Sequence, residues 1–180
     1  MKKIILKSLL LSFIIFIIGC NNKDKTGAGA GNVLPSTPPS KDSQESKDFL
    51  NSIKGKSAKY DGSPAGQGVI TFDNNGNLTD GNRSETFIGV SGGYAIYSFD
   101  YDVLSSGFIV KEYQAFKLNG NKLSLYEASN NYEVGKKEKW LEQNHNNGQG
   151  LKPDANRNSY PKMQISDIDI NEVSTTLTIQ

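Results

Sequence analysis

The chain has 180 residues, a formal net charge of +1, 36% apolar side chains, one cysteine and one histidine. Near-neutral charge excludes the broad basic field that nucleic-acid binding uses, and an acidic one as well. One cysteine excludes an intrachain disulfide and a multi-cysteine zinc site, so a folded domain here rests on its apolar core.

The first segment carries Lys2, Lys3 and Lys7 and an apolar stretch from Leu9 to Ile18 with Ser12 as its one polar member. A basic start, a short apolar stretch and a small residue before the cut are the parts of a secretory signal, whereas a spanning helix needs ~20 apolar residues. The stretch ends Ile17-Ile18-Gly19-Cys20. These four residues resemble the lipobox of bacterial lipoproteins. The resemblance implies that residues 1–19 are a signal peptide cut between Gly19 and Cys20. It also implies a diacylglycerol thioether on Cys20 and, where a third acyltransferase exists, an acyl chain such as palmitate on its amine. Two or more chains anchor stably, so the expected place is the bacterial cell envelope, at the outer membrane or cell surface, held to the membrane through Cys20. Loss of Lys2, Lys3 and Lys7 takes the 20 basic residues to 17 against 19 acidic ones, near −2.

Residues 20–47 follow as the lipidated Cys and a flexible linker: Gly, Ser and Pro dominate, and only Val33 and Leu34 are apolar and larger than Ala. Gly27, Gly29 and Gly31 lack the spacing and flanks of a dinucleotide loop. A short helix is predicted over Ser46–Ile53, with Ser46 as N-cap and Phe49, Leu50 and Ile53 on one face.

From Lys56 the pattern is β. Strands are predicted at Lys56–Tyr60, Gly68–Asp73, Ser84–Val90, Tyr94–Tyr101, Phe108–Leu118, Lys122–Ala128, Lys162–Ile170 and Val173–Ile179. Asn75-Gly76 and Asn119-Gly120 are turn centres that accept positive φ; Ser91-Gly92-Gly93 is another turn. Leu123 and Leu125 share one strand face, as do Val173, Thr175, Leu177 and Ile179. In Phe108–Leu118, Glu112 and Gln114 interrupt an apolar face, which predicts a bulge or an exposed stretch. The change of parity between Met163/Ile165 and Ile168/Ile170 predicts another bulge near Ser166-Asp167. Residues 129–161 are irregular, with a strand end or short helix inside Tyr132–Gln143.

The expected fold is all-β: one antiparallel meander of about eight strands over 48–180, closed as a lipocalin-like barrel, with an open β-sandwich as the alternative. Ile70–Thr79 and Tyr113–Leu125 are similar to strand–turn–strand units of bacterial lipocalin-like lipoproteins, although Gly55-Lys56-Ser57 stands where lipocalins carry Gly-x-Trp. A hollow barrel would enclose a cavity lined by Ile70, Phe72, Phe87, Ile96 and Leu125.

No motif for catalysis emerges. His145 stands alone among polar residues. Asp167-x-Asp169-x-Asn171 starts like a calcium loop but has Glu172 and Thr178 at the Gly and Glu places, and Asp73-x-Asn75-x-Asn77 fails at Leu78. Asp100 and Asp102 flank Tyr101 before a turn and are the one carboxylate pair worth testing for catalysis. Tyr94, Tyr97, Phe99 and Tyr101 fall on both faces of one strand, as core or recognition aromatics. The expectation is a non-catalytic binding module without metal or cofactor. Its partner would be a small apolar ligand in the barrel or a protein bound through loops 129–161; carboxylate-based catalysis is the third option.

Overall fold

The structure, a computed structural model, describes residues 33–64, 66–81, 83–146 and 150–180. The signal segment, Gly19, Cys20 and the glycines at 27, 29 and 31 lie outside the described residues.

Helix α1 (Gln44–Ile53) precedes eight strands: β1 (Ser57–Tyr60), β2 (Val69–Phe72), β3 (Leu78–Thr79), β4 (Ser84–Ser91), β5 (Tyr94–Asp102), β6 (Ile109–Asn119), β7 (Lys122–Tyr126) and β8 (Thr175–Ile179). Each strand lies antiparallel beside its sequence neighbours, and β8 pairs with β1 to close a barrel. The expected all-β barrel is therefore the observed one, and closure excludes the open sandwich.

Turn chemistry sets the registers. Gly92 and Gly93, both at positive φ, join Ser91 to Tyr94 between β4 and β5. Between β6 and β7 the central pair is Gly120-Asn121, one residue later than expected, flanked by the pair Asn119↔Lys122. Gly120 takes the first central position at φ 61°, the place that a type II′ turn gives to glycine.

Strand alternation then sorts the side chains. Ile70, Phe72, Phe87, Tyr97, Phe116, Leu125 and Leu177 turn inward and pack as the main core. Phe49 and Ile53 of α1 enter that core, with Phe49 stacked on Phe87 at 5.7 Å. On the outer side of β5 and β6, Ile96 and Ala115 are covered by a second cluster that includes Leu34, Tyr132, Met163, Ile165 and Ile168.

The seating of α1 follows from a gap in the sheet. β3 covers only Ser84 and Glu85 of β4, so donors further along β4 need other acceptors. The Phe87 N–H goes to Asn77 Oδ1 at 3.1 Å, and the Val90 N–H goes to Ser46 Oγ at 2.8 Å. Ser46 is fully buried and also donates to the Ser40 carbonyl at 2.8 Å. It is thus an internal strut of α1; the N-cap is Ser43, whose Oγ accepts from the Ser46 N–H at 3.1 Å. Gly89 lets the chain pass: a Cβ there would stand 3.0 Å from the Ser40 carbonyl oxygen.

Other expectations are corrected. The linker expected to reach residue 47 ends earlier, because Leu34 is buried and α1 begins at Gln44. The two-residue β3 was not among the predicted strands, although the likeness of Ile70–Thr79 to a strand–turn–strand unit ends at its residues. Lys162–Ile170 is not a strand: Ile165–Asp167 forms a 3₁₀ turn, with the Asp167 carboxylate accepting from the Gln164 N–H at 2.8 Å. That turn, rather than a bulge, resets the parity so that Met163, Ile165 and Ile168 are all buried. The only bridge there joins Ala128 to Ile168. Val173 precedes β8 and is exposed. Half of the "irregular" 129–161 is helical, as α2 (Asn130–Tyr132), a π-helical stretch Glu133–Glu138, and α3 (Lys139–Asn144).

Replacing Ser46 by Ala strands the Val90 N–H in the interior and is expected to cost about 1–3 kcal/mol. Urea denaturation measures this; a loss below about 0.5 kcal/mol, the range of an ordinary surface change, would contradict the strut.

Candidate binding cleft

Strand β6 has 11 residues and β7 only five, and of β6 only Ala115–Asn119 pair with β7. The two-residue turn makes Asn119↔Lys122 a hydrogen-bonded pair. Alternation then points the backbone groups of odd-numbered β6 residues toward the β7 side and those of even-numbered residues toward β5. The continuous register with β5, from Ala95↔Phe116 to Asp102↔Ile109, uses the even set. Past Ala115, Tyr113, Lys111 and Ile109 therefore present their backbone to a side from which β7 has departed. The Tyr113 N–H meets Met163 Sδ at 3.3 Å. Among the described residues no backbone group bonds the N–H or C=O of Lys111 or Ile109 on this side.

A cleft of about 460 Å³ runs along this edge, between β6 and the segment Arg157–Gln164. Phe108 and Tyr160 meet edge to face at 5.6 Å, and Trp140 of α3 joins them at 5.0 Å from Tyr160. Arg157 lies over the Phe108 ring at 5.4 Å. Trp140 and Tyr160 are buried, whereas Ile109 is 52% exposed, an apolar side chain left in water at the rim. The charged residues along the cleft are Lys111, Arg157 and Lys162, all basic.

Beneath the cleft sits a charged network. Glu112 and Gln114, which interrupt the apolar face of β6, cause no bulge and are not exposed; both point inward and are buried. Glu112 pairs with Lys137 at 2.9 Å and accepts from the Tyr160 hydroxyl at 3.4 Å. Lys137 also reaches Glu133 at 3.2 Å. Burial works against the Lys137 charge, but Glu112 and Glu133 more than offset it and raise its pKa. Burial, with Glu112 next, holds the Tyr160 phenol far above its ordinary range. Tyr160 is thus a neutral donor that ties the cleft floor to the ion pair. Further in, Glu85 lies 2.7 Å from Arg83 and accepts from Gln114 Nε2 at 2.7 Å. Burial outweighs these partners and pushes the Glu85 carboxyl up to about 7.

The residues singled out in the sequence are placed as follows. Ile70, Phe72, Phe87 and Leu125 do face the interior, but as packed core, with Phe87, Tyr97 and Phe116 in ring contact at 5.5 and 5.4 Å. Ile96 faces the opposite side, in the second cluster. The five therefore do not line one cavity. Asp100 is an exposed partner of Lys111 at 3.1 Å, and Asp102 accepts from the Gly107 N–H in the turn. His145 follows α3 and bridges to Leu151. Asp73 organises its own turn by accepting from the Asn75 and Asn77 N–H groups. Asp167 pairs with Lys136, and Asp169 accepts from the Asn171 N–H. Among the described residues, no group of three or more His, Cys, Asp or Glu is placed to hold a metal. Of the aromatics, Tyr97 is core, Phe99 lies under Arg83 at 3.4 Å, Tyr101 faces Lys137, and Tyr94 packs on Tyr126 on the opposite side.

Arg157 and Tyr160 fall within the loop 129–161 expected to bind a partner, but neither they nor Phe108 and Lys162 were singled out individually. The usable signal was Glu112 and Gln114, since carboxylates and amides on a buried parity ask for partners supplied by another segment. No protein-family model, no curated protein and no solved structure matches the chain.

Raising the folded-state pKa of a carboxyl means that the folded protein holds the proton longer than the unfolded chain. The Glu85 contribution is therefore fully present below about 4.5 and is lost as pH rises through about 7. Between pH 5 and about 8, melting temperature should fall more steeply for the native protein than for Glu85→Gln. Parallel profiles for the two proteins would contradict this assignment.

Proposed function

We propose that this chain is a lipid-anchored protein of the bacterial cell envelope that works as a non-catalytic binding module, using the cleft beside β6. The leader and Cys20 support the anchor. Among the described residues no helix is long and apolar enough to cross a membrane, and acyl chains on Cys20 would hold the barrel without one. The placement at the outer membrane or cell surface belongs to the same reading.

The observation that carries the binding role is the contrast between the two candidate sites. The barrel interior is filled by Phe49, Phe87, Tyr97 and Phe116. The flank holds a cleft of about 460 Å³ with aromatic walls and basic residues, a size within the ~300–1,000 Å³ of ordinary binding sites. This favours a partner bound from outside over a small apolar ligand enclosed by the barrel. It also keeps one part of the loop reading, since Arg157–Pro161 form the cleft wall. Asp100 and Asp102 sit at exposed and turn positions outside that wall, so nothing in their geometry favours catalysis.

Two measurements on the full-length protein in its own host test this. Cys20→Ser should abolish metabolic palmitate labelling and leave the apolar leader of residues 1–19 uncut. The double change Arg157→Glu and Lys162→Glu, made on exposed side chains, should reduce recovery of a crosslinked partner about ten-fold with the melting temperature unchanged. Undiminished palmitate labelling of Cys20→Ser would defeat the anchor, and undiminished crosslinking would defeat the cleft.

A further inference from the structure

The cleft is bounded on one side by a row of unused backbone groups, and this suggests what it takes. We propose that the β6 edge at Ile109–Tyr113 accepts an extended acidic peptide segment of a partner protein as an added β-strand, a reading that rests on the binding role of this cleft.

Ile109 and Lys111 each offer an N–H and a C=O toward the cleft, while their even-numbered neighbours hold the ladder to β5. A strand edge of this kind pairs with any extended backbone that reaches it. Five residues at ~3.3 Å each span about 16 Å, so a segment of five or six residues fits. Side chains of an added strand alternate between two directions. One set would meet Phe108, Tyr160 and Met163, and the other would remain in water.

Charge selects the class of peptide. Among the described residues, Lys111, Arg157 and Lys162 line the cleft and no carboxylate does. Lys111 does have Asp100 at 3.1 Å, but both side chains are more than half exposed, and such pairs contribute little. An incoming Glu or Asp beside Lys111 would face a cation held on a rigid strand. The same charges argue against a second copy as occupant. An isologous antiparallel pairing centred on Lys111 would set Lys111 against its own copy.

The β4 edge makes an instructive contrast. There the donors left by the short β3 are met by Asn77 and Ser46. At β6 the chain returns alongside, through Arg157–Gln164, yet it supplies only a sulfur to Tyr113. A segment that passes so near without pairing leaves room for another strand.

The test uses the full-length lipoprotein in detergent and a capped hexapeptide probe, Val-Glu-Val-Glu-Val-Glu, followed by fluorescence polarisation. Three controls accompany it: the same peptide N-methylated on alternate residues, its Val-Lys analogue, and sodium dodecanoate. The acidic peptide should bind, and alternate N-methylation should weaken it at least about ten-fold. The Lys analogue and dodecanoate should not compete. Lys111→Pro, which removes an N–H that the β5 ladder does not use, should weaken binding by a similar factor with the melting temperature unchanged, as should Arg157→Glu. Equal binding of the N-methylated peptide would overturn strand addition, and equal competition by dodecanoate would assign the cleft to a small apolar anion. A concentration-dependent dimer that Lys111→Pro abolishes would assign the edge to a second copy. If no peptide binds while the Arg157→Glu, Lys162→Glu protein still loses its crosslinked partner, the cleft stands and the strand proposal fails. If neither responds, both fail.

Discussion

The inequality of β6 and β7 is the constraint on which this molecule turns. A two-residue turn fixes where their ladder begins, and the end of β7 at Tyr126 fixes where it stops. The rest of β6 stays paired to β5 and must be completed on its other flank by chain that is not a strand. Residues 127–174 do this, since they separate β7 from β8. The helical stretch brings Lys137 to Glu112, the 3₁₀ turn lays Met163 and Ile165 over Ala115, and Arg157–Gln164 run beside the exposed edge. The side-chain packing is thorough, but the backbone of Ile109 and Lys111 is left facing the cleft.

The barrel itself divides into an apolar part and a polar part. α1 plugs the apolar part, with Phe49 against Phe87 and Ser46 supplying the acceptor that β4 lacks. The polar part holds two buried carboxylates with different solutions. Glu112 has a phenol and a buried lysine, which it shares with Glu133, whereas Glu85 pairs with the half-exposed Arg83 and keeps its proton to near neutral pH. Removing one member of a buried ion pair costs ~3–5 kcal/mol because the other charge is left uncompensated. Glu112 and Lys137 therefore tie the helical stretch, and with it Trp140 and Tyr160, to the strand that forms the cleft. The cleft is built on a rigid wall rather than on a free loop.

The fold was legible because the β signals are local. Alternation marked Leu123 and Leu125, and glycine pairs marked the turns. Seven of the strands follow the predicted segments. β3 was missing from the predicted strands because two residues carry no periodicity, and only the likeness of Ile70–Thr79 to a strand–turn–strand unit pointed to it; Lys162–Ile170 misled because apolar spacing looks alike in a strand and in a covering segment with a 3₁₀ turn. Ser46 and Ser43 show the same limit for α1: both are good caps, and only the distant Val90 N–H decides which one is buried. Of the cleft, the sequence held half. Glu112 and Gln114 were visible as anomalies, but the Glu112 partners Lys137 and Tyr160 lie 25 and 48 residues away, and the Gln114 partner Glu85 lies 29 away. Of the five cavity residues chosen by hydrophobicity alone, Ile70, Phe72, Phe87 and Leu125 fill the barrel and Ile96 faces the other way.

Amide hydrogen exchange along β6 tests the central claim most directly. The alternation of the ladder predicts slow exchange at Val110, Glu112 and Gln114, whose N–H groups bond β5, and fast exchange at Ile109 and Lys111, whose N–H groups face the cleft. Uniform protection from Ile109 to Tyr113 would show that the edge is already closed, and the account of an open strand at the heart of this protein would be wrong.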